Sequence, residues 1–149
     1  MRITTKGRYA LRASVALARL GKEGELVSIS SISNEENLSP IFLEQIFFNL
    51  KKAGLVKSVR GPGGGFNFTV PPEKLTVREI LEAAGEVLTA GNCDKHSETC
   101  DRMAGCKSHR VWVGLGELIK NYFQNMTLAN LLEDNNEGMD NSQYEFSKN

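Results

Sequence analysis

All three cysteines and both histidines of this 149-residue chain fall within a single polar stretch, Gly91 to His109, GNCDKHSETCDRMAGCKSH. The spacing is Cys93-x6-Cys100-x5-Cys106-x2-His109. Thiolate sulfur and neutral imidazole are soft and borderline donors, so this grouping points to metal chemistry. An odd number of cysteines argues against a disulfide framework, and exposed free thiols are a liability. A structural zinc tetrahedron is one reading, but zinc sites usually carry Cys-x2–4-Cys knuckles and none occurs here. The looser spacing suits a larger object, an iron–sulfur cluster, whose ligands reach around more than one metal atom. His109, placed at the start of a helix, is preferred over His96 as the fourth ligand.

A second chemistry is written in the charge. The chain is neutral overall, yet residues 1–70 hold ten Lys/Arg against five Asp/Glu, a net of +5, and residues 71–149 carry the compensating −5. A basic half implies a polyanionic partner, with Arg2, Lys6, Arg8 and Lys51 among the residues expected to face it. Within that half, Ser39-Pro40 opens a short helix with Glu44 and Gln45 near its start. Gln pairs with adenine and Glu accepts from the cytosine amino group in a major groove. The turn Arg60-Gly61-Pro62-Gly63-Gly64-Gly65 is no P-loop, because no Gly-Lys-Ser/Thr follows. Its glycines read as a wing tip where Arg60 and the backbone at Gly63 and Gly64 come close to DNA.

These residues need a frame. Thr5 is placed to cap a helix over Lys6–Leu20 that Gly21 stops. Ser28 starts a second helix through about Asn34. Asn37-Leu38-Ser39-Pro40 breaks the chain, and a third helix runs through Ala53 to Gly54, with Leu43, Ile46, Phe47 and Leu50 on its apolar side. Leu55–Val59 and Phe66–Val70 alternate as the strands of a hairpin. Thr76-Val77-Arg78-Glu79 is a capping box opening a helix to about Ala84. The cysteine stretch reads as a loop. A helix of about sixteen residues begins near Ser108, with Val111, Trp112, Leu115, Leu118, Ile119, Tyr122 and Phe123 in a wide apolar stripe. Thr127 caps a last helix with Leu128, Leu131 and Leu132, and the tail beyond Asp134 reads as disordered. The order predicts a mainly α fold: a winged helix-turn-helix over residues 1–72, the cysteine loop and further helices over 73–133, and a tail over 134–149.

No apolar run approaches the ~18 residues of a membrane span, and Arg12 and Arg19 interrupt any signal-peptide core, so a cytoplasmic protein without a membrane partner is expected. No acid orients either histidine at a readable spacing, and no Cys-x-x-Cys suggests a thiol redox enzyme. A non-enzyme is expected.

MRITTKGRYALRA, LEQIFFNLKKAGLVKSVRGPGGGF and CKSHRVW together resemble the IscR-type regulators of iron–sulfur cluster assembly over about residues 1–132. The resemblance implies a homodimeric winged-helix repressor of iron–sulfur biogenesis genes that binds palindromic double-stranded promoter DNA. It implies a long C-terminal dimer helix and a 2Fe–2S cluster on Cys93, Cys100, Cys106 and His109, with cluster-donating assembly proteins as further partners. Ser39, Glu44, Gln45 and Arg60 would contact bases or grooves. The alternatives are a nitric-oxide or redox sensor of the same family with a 4Fe–4S cluster, and a zinc-stapled DNA-binding protein without sensing. The nitric-oxide branch can use an N-terminal aspartate as ligand, and here that region offers Lys6 and Arg8 and no acid. Two departures stand out. The first gap between cysteines is one residue longer than usual, and Ile41 replaces a polar DNA-contacting residue of the best-studied branch.

Overall fold

The computed structural model describes residues 2–90, 93, 100 and 105–133. The expected disordered tail and most of the cysteine stretch, His96 included, lie outside them. The first helix, α1 (Thr5–Leu20), begins one residue earlier than its sequence suggests. Thr4 is the cap: its hydroxyl accepts from the Gly7 N–H at 3.2 Å and donates to the carboxylate of Glu86, while its own N–H reaches Glu86 Oε2 at 3.2 Å. A partner 82 residues away thus selects Thr4 over Thr5. α2 (Ile29–Glu36) starts from Ser28, whose Oγ accepts from the Ser31 N–H, and ends two residues later than expected. Asn37, at φ 51°, turns the chain through the left-handed region that Asn tolerates better than most residues. α3 (Pro40–Lys52) follows.

The hairpin pairs β1 (Val56–Val59) with β2 (Gly65–Phe68) antiparallel, Val56 opposite Phe68 and Val59 opposite Gly65. Val27 adds a further bridge, exchanging backbone hydrogen bonds with Phe66 at 2.9 and 2.8 Å. Helix, helix, turn, helix and two-stranded wing therefore stand in the order expected of a winged helix-turn-helix.

After the wing, α4 (Val77–Ala83) opens on the complete capping box, with Thr76 and Glu79 satisfying each other's backbone N–H groups. α5 (His109–Gln124) spans sixteen residues, and α6 (Leu128–Glu133) returns to the start. Thr127 and Asn130 cap α6 reciprocally, the Asn130 N–H donating to Thr127 Oγ1 and the Thr127 N–H to Asn130 Oδ1. Leu128 N–H donates to the Leu75 carbonyl at 2.8 Å, and Val77 N–H to that of Met126 at 2.9 Å. The main core joins Ala10, Ala13, Leu17, Ile32, Leu43, Phe47 and Leu50 to Leu75, Ile80, Ala84 and Leu128. Packing continues across residue 72, so the residues on either side of it share one core. Among the described residues no helix is long and apolar enough to cross a membrane.

Candidate nucleic-acid interface and metal centre

α3 is held by one side and offers the other. Leu43, Ile46, Phe47 and Leu50 are fully buried, with Phe47 against the Phe66 ring at 4.8 Å between centroids. Ile41, Glu44, Gln45 and Phe48 face outward, with Lys6 of α1 beside them along one groove. A second groove runs from Glu44 and Phe48 past Lys51 to Arg60 and Gly64 on the wing. Lys51 Nζ donates to Ser58 Oγ at 2.5 Å, tying α3 to the first wing strand. Ser39 occupies the capping position but makes no side-chain cap bond, and it is exposed. The structure thus brings Lys6, Glu44, Gln45, Lys51 and Arg60 onto adjoining surfaces.

Two of the cations that made the N-terminal half basic are exposed but paired with acids of α2. Arg12 bonds Glu36 Oε2 at 3.0 Å and its carbonyl at 2.7 Å, and Arg19 pairs with Glu35. Their work is to hold α1 against α2. The exposed Arg2, Arg8, Lys22, Lys51, Lys52, Lys57 and Arg60, with half-buried Lys6, are the cations not drawn into those pairs.

The wing glycines have a reason internal to the fold. A Cβ on Gly65 would lie 2.5 Å from the Val27 carbonyl oxygen, and one on Gly64 would lie 2.4 Å from that of Val59. Gly61 and Gly63 adopt φ of 98° and 72°, where side chains are strained. The hairpin and its Val27 bridge therefore require all four, and their number is no sign by itself of DNA approaching the backbone.

In the cysteine segment, Cys93 is half-buried beside Thr89, Ala90, Trp112 and Gly116, Cys100 is exposed, and Cys106 lies just before α5. The Ser108 hydroxyl, 3.1 Å from Cys106 Sγ, holds that thiol below the usual range. The backbone N–H groups of His109 and Ser108 add to this lowering. A lowered pKa favours thiolate, the form that ligates metals. All three cysteines are free. Three thiols and an imidazole therefore have the right donor chemistry for an iron–sulfur cluster. They do not converge: among the described residues no three His, Cys, Asp or Glu groups come together around a metal position.

Sequence reasoning missed two features. Phe48 was passed over, although it follows Ile41 and Glu44 at seven- and four-residue spacing and so belongs to their face. Glu86 is buried against the start of α1, with its side chain occupying the space a Cβ on Gly7 would need. No local pattern announces it.

The sequence matches the Rrf2 family, described as iron-dependent transcriptional regulators, over residues 3–134. A putative HTH-type transcriptional regulator of Neisseria meningitidis is 39% identical over 138 residues, 93% of this chain and 92% of the relative. The HTH-type transcriptional regulator IscR of Aliivibrio salmonicida is 37% identical over 135 residues, 91% of this chain and 79% of the relative. Among solved structures, CymR, the global cysteine regulator of B. subtilis, superposes with a TM-score of 0.71 at 29% identity, covering 89% of this chain and 96% of that one. T. potens IscR also gives 0.71, at 28% identity, covering 100% and 94%.

Proposed function

The chain belongs to the Rrf2 family of transcriptional regulators, a DNA-binding protein and no enzyme, and from that premise we propose that it is a homodimeric repressor of iron–sulfur biogenesis genes governed by a 2Fe–2S cluster. A cysteine regulator and an IscR share its fold at the same TM-score, so the fold alone does not select the signal. The cysteine segment supports a metal signal. The observation that carries the reading is the gathering of every cysteine, none of them in a disulfide, between the winged-helix region and α5, with Cys106 biased toward thiolate.

Cys93, Cys100, Cys106 and His109 would hold the cluster. A bound cluster would supply redox chemistry, and its four ligands would link the cysteine segment to the start of α5. An imidazole ligand brings no negative charge where a thiolate brings one, so this set would release its metal more readily than four thiolates, as a sensor requires. On the DNA side, α3 enters a major groove with Glu44 and Gln45 at base edges and Ser39 at its mouth. Arg2, Lys6, Arg8, Lys51 and Arg60 meet phosphates, and the wing backbone at Gly63 and Gly64 follows the adjacent groove. The exposed stripe on α5, where Val111 is 61% and Leu118 60% exposed, supports pairing with a second copy. Two α3 helices would then meet successive major grooves of a palindromic promoter about 34–36 Å apart. Such a regulator works beside the chromosome in the cytoplasm and receives its cluster from assembly proteins.

Purification without oxygen tests this. A red-brown protein with the iron and sulfide content of a 2Fe–2S cluster is expected. Colourless protein containing zinc would leave a zinc staple, and 4Fe–4S stoichiometry would favour the nitric-oxide-sensing alternative. His109→Ala is expected to bleach the visible bands while His96→Ala leaves them, and the reverse would reassign the fourth ligand.

A further inference from the structure

Phe48 is 68% exposed and Ile41 72%, large apolar side chains on the one face of α3 that the core does not use. Exposed aromatic surface on an otherwise polar, cationic face is costly unless something covers it. Position decides what. Residues 41, 44, 45 and 48 follow one another at helical spacing, so the two apolar groups bracket Glu44 and Gln45 along a single edge. Phe48 also borders the groove that continues to Lys51 and Arg60, and Ile41 the groove that contains Lys6. A protein partner would have to desolvate these cations, whereas a duplex brings phosphates to them. The apolar feature a major groove offers between its phosphate walls is the C5-methyl of thymine.

We infer that Phe48, with Ile41 as its counterpart, is a specificity-determining residue that reads thymine methyl groups on either side of the bases addressed by Glu44 and Gln45. Seven residues at 1.5 Å rise separate the two by about 10 Å, roughly three base-pair steps of duplex. The half-site therefore carries two thymines flanking a polar centre. Cytosine in place of either thymine is disfavoured even where Glu44 and Gln45 are satisfied, because its edge carries no methyl.

The inference rests on α3 being the helix in the major groove, and the experiment separates the two. The full chain, with and without its reconstituted cluster, selects duplexes from a random-sequence pool. Each thymidine of the enriched half-site is then replaced singly by deoxyuridine, which removes only the methyl. Two thymines are expected to lose about fourfold in affinity on this change, the worth of one buried methyl. Phe48→Ala abolishes that dependence at one of them and Ile41→Ala at the other. Wild-type binding indifferent to deoxyuridine at every position overturns the inference while leaving DNA recognition standing. So does a methyl dependence that survives both substitutions. Failure to enrich any sequence, with no salt-dependent binding, overturns the functional reading and the inference with it. Both side chains are exposed, so the variants should fold, and the deoxyuridine series on the wild-type chain needs no variant.

Discussion

In α3, Leu43, Ile46, Phe47 and Leu50 recur at helical spacing and every one is fully buried. In α5, Val111, Trp112, Leu115 and Leu118 recur in the same way and stay exposed, and the sole buried residue of that helix is Gly116, packed near Thr89 and Ala90. Amphipathic periodicity says that a helix has an apolar side; it does not say where the covering surface comes from. α3 finds its cover in α1, α2 and the wing. α5 is anchored at its far end, where Phe123 joins Met126 against Val77, Leu81 and Leu88, and leaves its middle for something else. The difference separates a helix whose apolar side the chain itself covers from one whose apolar side it leaves exposed.

The largest test of that contrast is thermodynamic. Phe47→Ala should cost about 3–5 kcal/mol in a urea titration, through lost transfer energy and the cavity left behind. Leu118→Ala, measured at concentrations where the chain is monomeric, should change unfolding by no more than about 0.5 kcal/mol. Comparable losses would mean that the α5 stripe is packed within the chain after all. Next in size is assembly. Leu115→Glu with Leu118→Glu should convert a dimer to a monomer by sedimentation and weaken a palindromic duplex about a hundredfold, the usual scale of lost bivalency. A persistent dimer with unchanged affinity would remove α5 from the interface.

Smaller effects sharpen the reading side. Glu44→Ala should relax discrimination at one base pair, with about 1–3 kcal/mol at stake, because a carboxylate among phosphates is favourable only opposite a cytosine amino group. Arg60→Ala should weaken all sequences alike and lower the salt slope by about one unit. An even loss across sequences from Glu44→Ala would contradict its role. The smallest effect is at Cys106. With its pKa lowered, the thiol of the cluster-free protein becomes thiolate, and so reactive, at lower pH than an ordinary cysteine. Alkylation by iodoacetamide followed against pH should show this, and Ser108→Ala should move the Cys106 profile upward. An unmoved profile would take Ser108 out of the account.

Residues that settle their structure with near neighbours were legible in the chain itself. The capping box of Thr76 and Glu79, the Ser28 cap, the Ser39-Pro40 opening of α3, the hairpin and the length of α5 all rest on contacts a few residues apart. The buried side of α3 was legible for the same reason, since a 3.6-residue period reports one face. The candidate site was legible as a set of donors and cations, because residue type alone carries that chemistry. Distant partners decided the rest. Glu86 moved the cap of α1 to Thr4, Val27 explained Gly65, and Glu35 and Glu36 paired with Arg19 and Arg12 at the surface. Leu128 closed one core over both halves of the chain. Which of two similar helices is covered, and which apolar side chains beside Glu44 stay exposed, depends on surfaces far away in sequence. Hydrogen bonds and helical periods act over a few residues and can be read there, whereas burial is a property of the assembled whole.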